Sequence, residues 1–210
     1  HDTISNITDR VIETVEEWQN RPLKKFYTFL FVDCLYVNIR KENETKSCAV
    51  YVILGYDVNG AKDILGLWIG DAEGKHYWMQ IFDEIKARGV EDVLFISMDG
   101  VSGLEEGARS IFKDVVVQRC IVHLIRSSVR YIPSKEYKKY TAQLKKVYGA
   151  ASLKAAESEF ERFKQSWSQY LGAVDVWVRN WSHVEQLFNY GSAVRKVCLL
   201  YTSDAADDLT

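Results

Sequence analysis

A chain of 210 residues with 47% hydrophobic content is long enough for one good core and a small appended module. Its 27 Lys+Arg against 29 Asp+Glu leave a formal charge of -2, which excludes a globally basic nucleic-acid binder but not a locally basic face. The charged fraction of 27% is ordinary for a globular protein and excludes a disordered chain, and only 2 Pro with 12 Gly exclude a collagen-like or linker-rich design.

Residues 1–20 read as a helix in which Ile7, Val11, Ile12, Val15 and Trp18 recur at spacings of three and four, stopped by Arg21-Pro22. Residues 26–39, 48–56 and 64–69 read as three strands. The first is apolar on both faces at its centre, as a central strand is. Polar residues 40–47 read as a turn, and Asp57-Val58-Asn59-Gly60 is a hairpin signal because Asn and Gly tolerate positive φ. Such short connections make an antiparallel meander. The pattern then changes to a helix at 74–88, a strand at 93–98 ending in Asp99-Gly100, a helix at 104–112 and a strand at 115–117. Strand, helix, strand in that order implies a parallel pair.

From Cys120 onward the chain reads as helices. One stops at Pro133, a second carries Tyr137, Tyr140, Leu144 and Val147, a third carries Phe160, Phe163 and Trp167, and a fourth carries Trp177, Trp181, Val184 and Phe188. Residues 202–210 are small, acidic and expected to be structureless. No apolar run approaches the roughly 18 residues of a membrane span; the strongest, Phe29-Leu30-Phe31-Val32, is broken by Asp33. No leader reads as a signal peptide. The four cysteines Cys34, Cys48, Cys120 and Cys198 form no Cys-x-x-Cys pair, which fits a reducing cytoplasm. The chain opens His1-Asp2-Thr3 without an initiator Met and reads as a fragment.

The fold class expected is therefore α/β, a mixed sheet of order βββαβαβ followed by helices. In such a sheet strand four lies beside strand one and parallel to it. That would bring Asp33, in the middle of strand one, toward Asp99, at the end of strand four. Two converging carboxylates repel unless a cation sits between them, and oxygen ligands of this kind suit Mg²⁺ or Mn²⁺. The plainer alternative is that Asp33 satisfies a neighbouring backbone group or Arg, and that Asp99-Gly100 is a turn.

Cys120 and His123 share a helix face. They are too few for structural zinc, which needs four ligands. They could form a Cys/His nucleophilic pair, or be a buried Cys and a hydrogen-bonded His. Residues 115–146 carry Arg119, Arg126, Arg130, Lys135, Lys138, Lys139, Lys145 and Lys146 against the single acid Glu136, a local balance of +7 with Tyr131, Tyr137 and Tyr140 interleaved. This is either a phosphate-contacting surface or a solvated helix face.

The segments Asp9-Arg10-Val11 through Glu17-Trp18-Gln19-Asn20-Arg21-Pro22-Leu23, Val32-Asp33, Gly66-Leu67-Trp68-Ile69-Gly70, Asp99-Gly100 and Cys120-Ile121-Val122-His123-Leu124-Ile125-Arg126, in this order and spacing, resemble those of the Mutator-type bacterial insertion-sequence transposases. The resemblance runs from about residue 1 to about residue 197. It implies a ribonuclease-H-like catalytic core at 24–133 and a helical insertion at 134–197. Residues 1–23 would close a DNA-binding region and linker, and 198–210 would be an unrelated or disordered tail.

The resemblance also implies a DDE enzyme that cleaves double-stranded DNA at element ends and transfers the freed strand to target DNA. A two-ion Mg²⁺ (or Mn²⁺) site would be held by an Asp-Asp-Glu triad, with Asp33 and Asp99 as its first two acids. Cys120 and His123 match the family's Cys-x-x-His signature. A homo-oligomer on DNA, bacterial cytoplasm near the nucleoid and no membrane partner follow from the same likeness. The family's Glu lies in a Tyr-Thr-Thr-Asn-Ala-Ile-Glu-like segment. Here Val197-Cys198-Leu199-Leu200-Tyr201-Thr202-Ser203-Asp204-Ala205-Ala206-Asp207 stands instead, with Asp207 the acid nearest that place. The expectation is a chain lacking its third ligand and inactive by itself. The alternative is a non-catalytic DNA-binding protein derived from a transposase.

Overall fold

Strand formation begins where bulky and β-branched residues alternate or run together, and the first such run is the longest element of the sheet. In the computed structural model the backbone is described for residues 2–41, 44–70, 74–101 and 103–207, and side chains for 11–40, 44–70, 74–101 and 103–199. The chain falls into two compact units, His1–Val117 and Gln118–Thr210.

The first unit opens with α1 (Asp2–Asn20), followed by β1 (Phe26–Lys41), β2 (Glu44–Tyr56) and β3 (Lys62–Gly70). Then come α2 (Lys75–Ala87), β4 (Asp92–Met98) and α3 (Leu104–Ile111), and β5 (Val116–Arg119) stands at the boundary. The sheet order is β3-β2-β1-β4-β5. β1 is antiparallel to β2, β2 is antiparallel to β3, and β1 is parallel to β4. The architecture is thus α/β with a mixed five-stranded sheet, as the element order implied.

The core of this unit forms where α2 presents Trp78, Ile81, Phe82 and Ile85, all buried, to Leu30, Val32, Tyr51 and Ile53 of the sheet. Trp78 meets Tyr51 edge-on at 4.8 Å between ring centres, a favoured aromatic geometry. Helix α2 ends at Gly89, whose φ of 114° places it in the left-handed region that glycine tolerates.

Of residues 40–47, expected as a turn, the described ones, 40, 41 and 44–47, instead continue the ladder. Arg40 pairs with Thr45 and Ile39 with Lys46, so polar residues alternate along two extended strands. Their chemistry resembles a turn, but their pairing is that of a β-hairpin.

The second unit contains α4 (Ile121–Val129), α5 (Tyr137–Tyr148), α6 (Leu153–Ser166), α7 (Leu171–Arg179), α8 (Trp181–Gln186) and α9 (Ser192–Asp207), with 3-10 turns at Ser134–Glu136 and Leu187–Asn189. Its centre is aromatic. Trp181 stacks on Phe160 at 4.1 Å, and Tyr140 meets Trp167 edge-on at 4.9 Å. The buried indole N–H of Trp177 donates to Ser128 Oγ at 3.0 Å, and that hydroxyl donates to the Ile125 carbonyl at 2.9 Å. A buried ring N–H is costly unless paired, so this chain of bonds fixes α7 against α4.

The backbone of α9 is helical to Asp207, against the expectation of no regular structure from Thr202. Ala205 and Ala206 have the highest helix propensity and extend the turn already begun. The side chain of Asp207 lies outside the described residues. No described helix is long and apolar enough to cross a membrane.

Candidate active site

β1 and β4 run parallel through the rungs Leu30–Ile96 and Phe31–Ser97, and Phe31–Ser97 is the last rung of their pairing. Asp33 stands two residues beyond Phe31, and Asp99 two residues beyond Ser97. Side chains two apart along a strand share a face. The topology therefore carries both carboxylates to the same end of two neighbouring strands. β4 ends at Met98, so Asp99 is the first residue of the loop that leads to α3.

Both aspartates are half-buried. Asp33 Oδ1 accepts the Cys34 N–H at 2.8 Å, and Asp99 Oδ1 accepts the Gly100 N–H at 2.6 Å. Each local bond orients one carboxylate oxygen. The donor set is two hard oxygen ligands, which suits a small divalent cation in kind. Among the described residues no group of three or more His, Cys, Asp or Glu side chains gathers to hold a metal. The pair is thus a partial donor set.

Cys120 is the N-cap of α4, with its side chain making no capping bond, and its carbonyl accepts the Leu124 N–H at 3.1 Å. His123 lies in the first turn of that helix, and both residues are half-buried. Cys198 is unsuited to attack, because burial pushes its thiol up to about 11.

The basic segment is distributed over several elements. Arg119, half-buried, ends β5. Arg126 and Arg130 stand four apart at the end of α4, Lys135 lies in the 3-10 turn, and Lys138, Lys139, Lys145 and Lys146 lie on α5. All except Arg119 are exposed. Lys145 and Lys146 occupy the last turn of α5, where positive charge complements the helix dipole. Lys139 lays its ammonium over the Trp167 ring at 5.7 Å, so part of its role is packing. Arg126, Arg130, Lys135, Lys138, Lys145 and Lys146 form no ion pair among the described residues.

Sequence patterns did not foretell the Ser128–Trp177 bond or the length of the β1–β2 hairpin. A Ser at the buried helix positions around Val129 is the one signal for the first. The alternation of Ile39, Thr45 and Lys46 is a weak signal for the second.

The family model described as "Transposase, Mutator family" matches residues 1–207. The chain is 39% identical to a probable transposase for insertion sequence element ISRM3-like from Sinorhizobium fredii, over 99% of this chain and 52% of that protein. The same identity and coverage hold for the transposase for insertion sequence element ISRM3 from Rhizobium meliloti. Identity is 31% to the transposase for insertion sequence element IS256 in transposon Tn4001 from Staphylococcus aureus, over 76% of this chain and 41% of that protein. The chain spans about half the length of these first two curated relatives. With this match over nearly all of its length, and with the two aspartates at adjoining strand ends, the chain belongs to the Mutator family of transposases.

Proposed function

We propose that this chain is the catalytic-core part of a DDE-type insertion-sequence transposase built on a ribonuclease-H-like sheet. Its substrates are double-stranded DNA at the element ends and at the target, and its setting is the bacterial cytoplasm at the nucleoid, as a homo-oligomer on DNA. The observation that carries this reading is the placement of Asp33 and Asp99, two residues beyond the same β1–β4 rung.

In this reading Asp33 and Asp99 hold Mg²⁺ (or Mn²⁺) in a two-ion site. Bound there, the ions supply Lewis-acid activation of an attacking oxygen and charge stabilisation at the leaving oxygen. The chain's own groups do the positioning. The N–H groups of Cys34 and Gly100 orient the two carboxylates. Exposed Arg126, Arg130, Lys135, Lys138 and Lys139 contact phosphates, with Arg119 beside them in sequence. Cys120 takes no nucleophilic part, since the attacking group in this chemistry is a water or a DNA hydroxyl. Where the resemblance places the triad's Glu, the segment Tyr201–Asp207 carries no Glu, so in this reading the described residues supply two of the three acids.

The test is a chimera in which residues 1–197 replace the matching part of the Rhizobium meliloti relative, assayed for Mg²⁺-dependent nicking of element-end DNA. Asp33→Asn or Asp99→Asn should lower nicking by about 100-fold, since displacements near 1 Å already cost that much. Nicking by either variant as fast as by its parent overturns the assignment. A second reading, a DNA-binding protein without catalysis, is favoured by the basic side chains of α4 and α5 that lack ion pairs. It is the one left standing if the chimera binds duplex DNA but never cleaves it.

A further inference from the structure

Among the described residues, strand β1 has no β4 partner beyond Phe31, and strand β2 has no β3 partner before Ala49. The rungs Val37–Cys48, Asn38–Ser47, Ile39–Lys46, Arg40–Thr45 and Lys41–Glu44 therefore form a two-stranded ribbon that leaves the sheet. It leaves at the end where Asp33 stands, and Arg40 lies about 23 Å of extended strand beyond Asp33.

The ribbon's described side chains are exposed, except for Ile39 and Cys48, which are half-buried. At its base Leu35, Tyr36 and Val37 are 49%, 58% and 40% exposed. Alternation gives it two faces. One carries Asn38, Arg40, Thr45 and Ser47; the other carries Val37, Ile39, Lys46 and Cys48. Among the described side chains each face holds one cation near the tip, Arg40 on the first and Lys46 on the second. Among the described residues Arg40 makes no ion pair, and Asn38, Thr45 and Ser47 make no side-chain hydrogen bond. The one acid among the ribbon's described residues, Glu44, stands at the tip, one rung beyond Arg40–Thr45. An exposed apolar ribbon would mark a protein or core contact. A ribbon with four uncommitted hydrogen-bonding side chains on one face and a cation on each face is complementary to a polyanion instead.

We propose that the β1–β2 ribbon enters a groove of duplex DNA. A major groove about 12 Å wide admits a two-stranded ribbon. The ribbon enters edge-on, so that Arg40, with Asn38, Thr45 and Ser47 on the same face, lies toward one phosphate backbone and Lys46, on the opposite face, toward the other. The ribbon thereby holds the duplex at the strand ends that carry Asp33 and Asp99. This rests on the reading that the aspartate pair acts on DNA, but it names a DNA-binding element separate from the basic helices α4 and α5.

The experiment measures binding of a labelled duplex to the full chain by fluorescence anisotropy from low to high salt. Arg40→Ala with Lys46→Ala should weaken binding by about tenfold or more. It should also lower the slope of log affinity against log salt by about 2, because each phosphate neutralised by a side chain accounts for about 0.9 of that slope. Lys62→Ala with Lys154→Ala removes the same charge from two other exposed positions and should change neither. Circular dichroism should show all variants folded, since every substituted side chain is exposed. If the ribbon variant binds like the parent while Lys138→Glu with Lys139→Glu weakens binding, the ribbon proposal is wrong and the DNA reading stands. If the control pair weakens binding as much as the ribbon pair, the effect is net charge and the ribbon proposal is again wrong. If the parent chain binds no duplex at any salt, both fall together.

Discussion

Asp33 on β1 and Asp99 at the exit of β4 are each two residues past the same rung, Phe31–Ser97, although they are far apart in sequence. Their proximity is a property of the parallel pairing, and no loop has to fold over to create it. What separates them from an ordinary pair of surface acids is that both are half-buried, each with one oxygen tied to the next N–H.

That geometry makes a prediction for the chain alone. Two neighbouring carboxylates destabilise one another, and a divalent cation relieves the repulsion. Mg²⁺ or Mn²⁺ at about ten times its dissociation constant should add about 1.4 kcal/mol of stability, a rise in Tm of about 3–6 °C for a protein of this size. Asp33→Asn or Asp99→Asn should raise the metal-free Tm and abolish the metal-induced rise. Differential scanning fluorimetry reads both, and a full metal shift in either variant counts against the site.

Within the helical unit, Ser128 is small but consequential. Ser128→Ala leaves the buried Trp177 N–H without its acceptor, and an orphaned buried donor costs about 1–3 kcal/mol. Urea unfolding followed by tryptophan fluorescence should show that loss. Adding Trp177→Phe should cost less in the Ser128→Ala background than alone, because the two residues share one bond.

The pH dependence has two arms of opposite sign. Burial raises the hydroxyl of Tyr148 to about 12, and raises that of Tyr140 further. In the unfolded chain both would ionise near 10. The folded state holds more protons in between, so stability is complete below about pH 10 and falls as pH rises toward 12. Tyr148→Phe should flatten that alkaline arm. At the acid end, the Lys24 ammonium, with the Ala61 and Asn59 N–H groups, holds the Asp57 carboxyl below its ordinary value. This contribution is present above the normal carboxylate range and disappears as pH falls below it. Tm measured across pH should bend less in acid for Asp57→Asn.

The basic helices make a graded prediction. Lys138→Glu should lower duplex affinity and the salt slope without affecting the fold, since the side chain is exposed and without an ion pair. Lys139→Glu should do the same and also lower Tm, because its ammonium sits over Trp167. An equal Tm for the two variants would argue against that packing role.

Much of this architecture can be read from local patterns. The apolar centre of β1 and the strand-helix-strand run after Gly89 suffice to place β4 beside β1 and thus Asp99 toward Asp33. Helical spacing marks Phe160, Phe163 and Trp167, all buried. Three features are not legible in this way. The β1–β2 ribbon is built from residues of turn chemistry, and only cross-strand pairing makes them strands. The Ser128–Trp177 bond joins positions 49 apart, so no local window contains it. The basic run reads as one stripe, yet Pro133 and the following turn divide it between α4 and α5, and Lys139 turns to a ring.

Gln19 and Arg21, which belong to the family-like segment at the end of α1, have a physical task at the outer strand of the sheet. Gln19 Oε1 accepts the Leu67 N–H at 3.0 Å, Arg21 donates to the Ile64 carbonyl at 2.7 Å, and the Tyr77 hydroxyl donates to the Ile69 carbonyl at 2.9 Å. Backbone groups of β3 that would otherwise invite another strand are already engaged by side chains. The end of α1 thus serves as a guard against edge-to-edge association, in a strand whose Ile64, Leu67 and Ile69 are exposed. Weakening that guard should make the protein stick to itself at concentrations where its fold is still intact, so solubility, rather than melting, is where this part of the chain would reveal its value.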